Sequence, residues 1–196
     1  ELLALDKVEE IIKANPDVIV VVDEAYIDFG GESVLPLIQK YDNVIVVQTF
    51  SKSRSMAGSR IGFAISNEKV IKYLNDVKYS FNSYTMDALT IELGTAAIED
   101  KEYFEMTRNK IMETREWTKA ELKKLGFHFG DSKSNFIFAT HKDIPAVEIY
   151  EALREDYQNL NQSVSDSTMA WLIEIMDFHK VQQMNILMRS ALLQTR

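Results

Sequence analysis

The sequence predicts an α/β fold: part of a large domain with a mostly parallel sheet, followed by an incomplete, smaller α+β domain. Three observations carry this. Val18–Val22 is an uninterrupted apolar, β-branched run and Val44–Gln48 is apolar and β-branched up to its last residue, the mark of strands buried on both faces. Helical patterns alternate with these runs, which implies βαβ units. After Gly126 the pattern changes to short strands and one helix.

The elements follow in order. Residues 4–14 read as an amphipathic helix ending near Asn15-Pro16, and the first buried strand follows over 17–22. Ser33–Lys40 reads as a short helix and Val44–Gln48 as the second strand. Ile61–Ser66 reads as a third, in which Gly62 permits close backbone approach. Asn67 caps a helix through about Lys78. Met86 to about Leu125 is helical with a break near Glu99-Asp100, and Gly126 is its stop. Phe127–Phe129 and Asn135–Ala139 suggest two short strands, and Pro145–Glu155 a helix with Pro near its first turn. The division expected is 1–105 for the large domain and 106–196 for the small one.

Bulk properties exclude several classes. A net charge of −8 over 196 residues argues against a nucleic-acid binder and a polybasic membrane anchor. No apolar run approaches the ~20 residues that span a bilayer. There is no cysteine, hence no disulfide or thiolate metal site, which fits a reducing cytosol. His128, His141 and His179 lack metal-ligand spacing and read as surface or loop residues, so no metal is expected. The chain opens on Glu1-Leu2-Leu3 without an initiator Met or a signal pattern. The expectation is a start within a longer protein.

Two segments carry chemistry. VVDEAYIDF (21–29) places Asp23 and Tyr26 at the end of an apolar strand, where open α/β sheets bind ligands. QTFSKSRSMAGSRIGFA (48–64) places Lys52 among small and hydroxyl residues, with Arg60 eight positions on. Together these supply the parts needed to hold pyridoxal 5'-phosphate (PLP). A lysine makes the Schiff base and a carboxylate partners the pyridinium nitrogen. Tyr26 can donate to the cofactor's phenolate oxygen. Ser51 and Arg60 suit a phosphate dianion. Arg54 and Arg60 supply a cationic neighbourhood that favours a neutral lysine amine. Ser53, Ser55 and Ser59 read as plain loop residues. The competing readings are a strand-end Asp-Glu that caps a turn and a solvated surface lysine.

With these residues in view, the chain resembles the class I/II aminotransferases of PLP fold type I, and among them the histidinol-phosphate aminotransferases. The family pattern is D-E-A-Y-x-x-F, then T-x-S-K-x-x-x-x-A-G-x-R-x-G-Y/F. Asp23, Tyr26, Ser51, Lys52, Ala57, Gly58, Arg60 and Gly62 match it, and Ser134–Phe138 resembles an S-x-x-N-F strand of the small domain. The resemblance runs from about Leu5 to Arg154. It implies a cytoplasmic homodimer that passes an amino group between histidinol phosphate and 2-oxoglutarate in histidine biosynthesis. In it, Lys52 is catalytic, Asp23 binds the pyridine nitrogen, Tyr26 the ring hydroxyl, and Ser51 and Arg60 the phosphate. Aromatic aminotransferases and threonine-phosphate decarboxylases share most of these residues. A catalytically inactive fragment is the reading from another class.

Two departures accompany the resemblance. Family members are roughly twice this length. The missing half would carry a small-residue phosphate loop, a ring-stacking aromatic, an asparagine for the ring hydroxyl, and a Tyr lent across the dimer. The chain alone is therefore expected to form an incomplete site. The second departure is residues 156–196, which are atypical and carry four of the eight methionines. The family's Arg-containing strand for the substrate carboxylate is not found there. Arg189 is the only Arg between Arg154 and the C-terminal residue, and its context does not match. One reading is a frameshift, because a one-base shift of permissible codons for Gln183–Arg189 can spell T-D-E-x-F-D-E. The other is a divergent segment.

Overall fold

The computed structural model describes residues 2–161, with side chains to Arg154. The readings placed on His179, Arg189 and the frameshift lie outside the described residues. Two compact units are present, Leu2–Lys110 and the chain from Ile111 onward. They are taken one at a time.

In the first unit, helix α1 (Leu5–Ala14) is followed by strand β1 (Val20–Asp23), strand β2 (Val44–Thr49) and strand β3 (Gly62–Ile65). Helices α2 (Glu68–Phe81), α3 (Ala88–Glu99) and the first part of α4 (Lys101–Lys124) complete it. The sheet order is β1-β2-β3. β1 and β2 are parallel, with Val20 opposite Val44 and Asp23 opposite Val47. A parallel neighbour needs a long crossover. Here residues 24–43 supply it through two 3-10 turns, Ile27–Phe29 and Leu35–Gln39. The second replaces the expected short helix at 33–40. Pro36 within its first residues suits a turn start.

β3 departs from the parallel expectation and runs antiparallel to β2, with Gly62 opposite Thr49. Residues 50–61 contain no helix long enough to return the chain to the far end of the sheet, so β3 turns back along β2.

The core forms where α1 lies on one sheet face. Val8 and Ile12 pack with Val34, Leu37, Val44 and Val46. The spacing of Val8 and Ile12 puts them on one helical face. β2 is buried as its run predicts, but β1 is not buried on both faces. Val21 is 58% exposed, because among the described residues only one face of β1 is covered. Val18, just before the strand, is exposed as well.

The helix ends are legible. Asn67 Oδ1 accepts from Val70 N at 3.0 Å and Asp87 Oδ1 from Thr90 N at 2.7 Å, each satisfying a first-turn donor. Asp100 separates α3 from α4 where the break is expected, and its Oδ1 accepts from Tyr103 N.

In the second unit, the rest of α4 ends before Gly126, whose φ of 83° is the left-handed stop. Strands β4 (Phe127–Phe129) and β5 (Ala139–His141) form an antiparallel pair. β5 begins four residues later than the sequence suggests. Ser134 Oγ donates to Phe136 O and accepts from Phe136 N, so side chains occupy the backbone groups a strand would use. Helix α5 (Ala146–Asn161) runs past Glu155, since no Gly or Pro interrupts it. His128 and His141 lie in strands, His128 exposed at the surface as expected and His141 half-buried. His141 stacks edge-on with Phe127 and contacts Leu125 O at 3.2 Å.

Among the described residues no helix is long and apolar enough to cross a membrane, and no acidic or histidine cluster could hold a metal.

Candidate functional site

Topology brings the chemistry-bearing residues to one end of the three-stranded sheet. Asp23 is the last residue of β1. β2 lies parallel to it and ends at Thr49, so Ser51 and Lys52 emerge from the same end. β3 starts at Gly62 opposite Thr49, so Arg60 enters from that end too. Tyr26 follows Asp23 and opens the 3-10 turn Ile27–Phe29.

Asp23 is exposed, and its Oδ1 accepts from Ala25 N at 2.9 Å. The Asx turn expected of a strand-end Asp is thus present, and it leaves the carboxylate at the surface. Lys52 is half-buried, and its Nζ lies 5.4 Å from the centroid of the Tyr26 ring, within cation–π range. This contact joins the two motifs.

Ser51 is half-buried and held by Thr49. Its N–H donates to Thr49 Oγ1 at 3.1 Å, and the two hydroxyls lie 3.0 Å apart. Arg60 is exposed and adopts φ 54°, ψ 37°, while its Nη1 donates to Ala57 O at 3.0 Å. Ser55 also has a positive φ, 55°. Left-handed backbone at two non-glycine residues in one loop is a local cost of about 1 kcal/mol or more each, and such strain concentrates at functional sites. Gly58, by contrast, has no atom within 4 Å of where a Cβ would stand.

The loop is closed by backbone bonds. Phe50 N donates to Ile61 O at 3.1 Å, Met56 N to Phe50 O at 3.1 Å, and Ser55 N to Lys52 O at 3.2 Å. The lysine therefore sits on a short, folded-back segment.

Three residues that sequence reasoning missed or misread support this arrangement. Glu24 is 5% exposed, and its carboxylate accepts from Val34 N at 2.7 Å, Ser33 Oγ at 2.8 Å and Gln48 Nε2 at 2.9 Å. It is an acid placed directly after a strand, which signals a partner across the sheet end. Ser53 is buried, not a plain loop residue, and donates to Asp28 Oδ2. Arg54 faces α3 and α4: its guanidinium stacks over Phe104 at 4.2 Å and donates to Ala97 O at 2.5 Å. Its charge is spent on an aromatic face and a helix C-terminus. A cleft of about 220 Å³ beside it, lined by Ser53, Arg54, Ser55, Asp100, Tyr103 and Phe104 among others, includes none of Asp23, Tyr26, Ser51, Lys52 and Arg60.

Chemically, the sheet end offers a carboxylate (Asp23), a phenol (Tyr26), an amine (Lys52), a guanidinium (Arg60) and the hydroxyls of Thr49 and Ser51. That donor set suits an anionic ligand which also carries a basic ring nitrogen and a carbonyl. The family profile described as aminotransferase class I and II matches residues 1–165, so the chain belongs to that family.

Histidinol-phosphate aminotransferases are among its relatives. That of Brachyspira hyodysenteriae is 58% identical over 155 residues, covering 79% of this chain and 44% of the relative. That of Lactococcus lactis subsp. cremoris is 52% identical, covering 78% and 43%. The chain thus spans less than half the length of these curated relatives. Among solved structures, the histidinol-phosphate aminotransferase of Clostridium acetobutylicum superposes with a TM-score of 0.72 at 23% identity, covering 79% of this chain and 48% of that one. That of Sinorhizobium meliloti, in complex with pyridoxal-5'-phosphate, gives 0.70 at 19%, covering 100% and 55%. At these identities the superpositions show the fold.

Proposed function

We propose that this chain carries the lysine-bearing half of a PLP-dependent aminotransferase acting on histidinol phosphate and 2-oxoglutarate in histidine biosynthesis. The observation that carries the reading is the convergence of Asp23, Tyr26, Ser51, Lys52 and Arg60 on one sheet end. Relatives named histidinol-phosphate aminotransferase at 50–58% identity support the choice of substrate.

When bound, PLP supplies an electron sink for the electron pair left as a substrate Cα–H bond breaks. Asp23 accepts from the pyridine nitrogen and keeps that nitrogen protonated. Tyr26 donates to the ring oxygen. Ser51 and Arg60 bind the phosphate, Arg60 as a two-pronged donor. The Lys52 amine is the point of attachment and, once released, the base that takes the proton from the substrate α-carbon. Residues 1–105 belong to the large domain and 106–196 to the small one. The active form is a cytoplasmic homodimer.

The test is the visible absorption spectrum of the purified chain with added PLP, beside Lys52→Ala. A Schiff-base band in the parent and none in the variant is the expected result. Transamination of histidinol phosphate is then assayed directly. A band that survives Lys52→Ala counts against the reading; no band in either protein means that the site is not assembled without the missing half.

A further inference from the structure

We propose that Asp28 and Ser53 are a positioning pair that keeps the Lys52 amine against the face of Tyr26. Ser53 immediately follows Lys52, and Asp28 lies two residues after Tyr26. The hydrogen bond from Ser53 Oγ to Asp28 Oδ2 crosses 25 residues of chain to join the two segments. Both positions are ones the family pattern leaves open.

Each side of this bond is anchored. On the tyrosine side, Phe29 is fully buried next to Asp28, and Glu24 is tied to Gln48 on β2. Tyr26 therefore sits between two fixed points. On the lysine side, Ser53 is 3% exposed, and the adjacent Arg54 is clamped to Ala97 O and the Phe104 ring. Sliding the lysine loop past the tyrosine turn would break a charge-assisted bond and strand a carboxylate and a buried hydroxyl. The 5.4 Å Lys52–Tyr26 contact lies one residue from one end of that bond and two from the other.

The catalytic meaning of the pair rests on the role proposed above for Lys52, but its test does not. The full chain, without cofactor, is treated with acetic anhydride at one fixed pH, and acetylation of Lys52 is followed by peptide mass spectrometry. The exposed Lys7 serves as internal standard. An amine held over an aromatic ring is shielded from the reagent by that contact. Release therefore speeds acylation by about two- to fivefold, the usual size of an exposed cation–π contact.

Ser53→Ala and Asp28→Ala are each expected to give that increase, with the double variant no faster than the faster single one. Asp28→Asn, which keeps an acceptor for the serine hydroxyl, restores the parent rate. Parent-like labelling in Ser53→Ala overturns the proposal. So do additive increases with Asp28→Asn behaving as Asp28→Ala. Should Asp28→Ala not fold, Ser53→Ala against Asp28→Asn decides. The PLP band is read separately. Its absence beside an intact labelling pattern means that the half-site does not assemble around the cofactor and leaves the pair standing.

Discussion

Removing the Glu24 carboxylate is the sharpest perturbation of the frame behind the site. The group is 5% exposed and accepts from Val34 N, Ser33 Oγ and Gln48 Nε2 at 2.7–2.9 Å. Hydrogen bonds to a charged acceptor are worth about 1.5–3 kcal/mol each, and a buried donor left unpaired costs about 1–3 kcal/mol. In Glu24→Ala, the Val34 amide is the donor least able to find water, since Val34 is 3% exposed. The Gln48 amide and Ser33 hydroxyl are half-buried and rehydrate in part. The expected loss is about 3 kcal/mol. Glu24→Gln keeps an acceptor for Val34 N and Ser33, and Gln48 can flip its amide to meet the new NH₂, so it is expected to cost about 1–2 kcal/mol. The assay is urea unfolding followed by far-ultraviolet circular dichroism, comparing midpoints at equal slope. A Glu24→Ala variant within about 0.5 kcal/mol of the parent, the scatter of ordinary surface substitutions, would refute the reasoning.

Two further outcomes are expected. Asn67→Ala removes the side-chain acceptor for Val70 N and should cost about 1 kcal/mol in the same urea assay, with Asn67→Asp near the parent. Asp131 is held at about 2, below its ordinary 3.8, first by its hydrogen bond from Lys119 and then by Lys133. Because the folded value is the lower one, its contribution is present above pH ~4 and is lost as pH falls toward 2. An acid titration of the dichroism signal should therefore show a shallower loss over that window in Asp131→Asn.

Much of the fold was legible because the signals were local. The runs at 18–22 and 44–48, the Asn67 cap, the break at Asp100 and the stop at Gly126 each depend on a few neighbouring residues, and each lies within a few residues of its expected place. What escaped was set by distant parts of the chain. The direction of β3 depends on what residues 50–61 can span, not on the composition of the strand. The exposure of Val21 depends on which layers cover β1, which its own residues cannot report. At the site, Lys52, Asp23, Tyr26, Ser51 and Arg60 stood out as chemistry in an apolar or small-residue setting. Ser53 did not, because a serine among serines carries no mark of burial until Asp28 is folded against it. Arg54 was misjudged for the complementary reason. Its partners, Phe104 and Ala97 O, lie more than 40 residues away in sequence.

The reversal at β3 is also what makes the site compact. A parallel β3 would begin at the far end of the sheet, and Arg60 would enter there. The antiparallel pairing of Gly62 with Thr49 brings Arg60 back to the end where Ser51 and Lys52 leave β2. The closure is held at its base by Phe50 N donating to Ile61 O, and α3 crosses that base at Gly94. A Cβ on Gly94 would stand 2.9 Å from Ile61 Cδ1 and 3.6 Å from Phe50 Cε2. The absence of a side chain there lets the helix seat directly on the two residues that pin the loop. Arg54 then ties the loop's interior to the same helix three residues further on, at Ala97 O. The lysine is thus carried on a segment fixed at its neck and along its length, while Asp23 on the neighbouring strand stays exposed at the same sheet end.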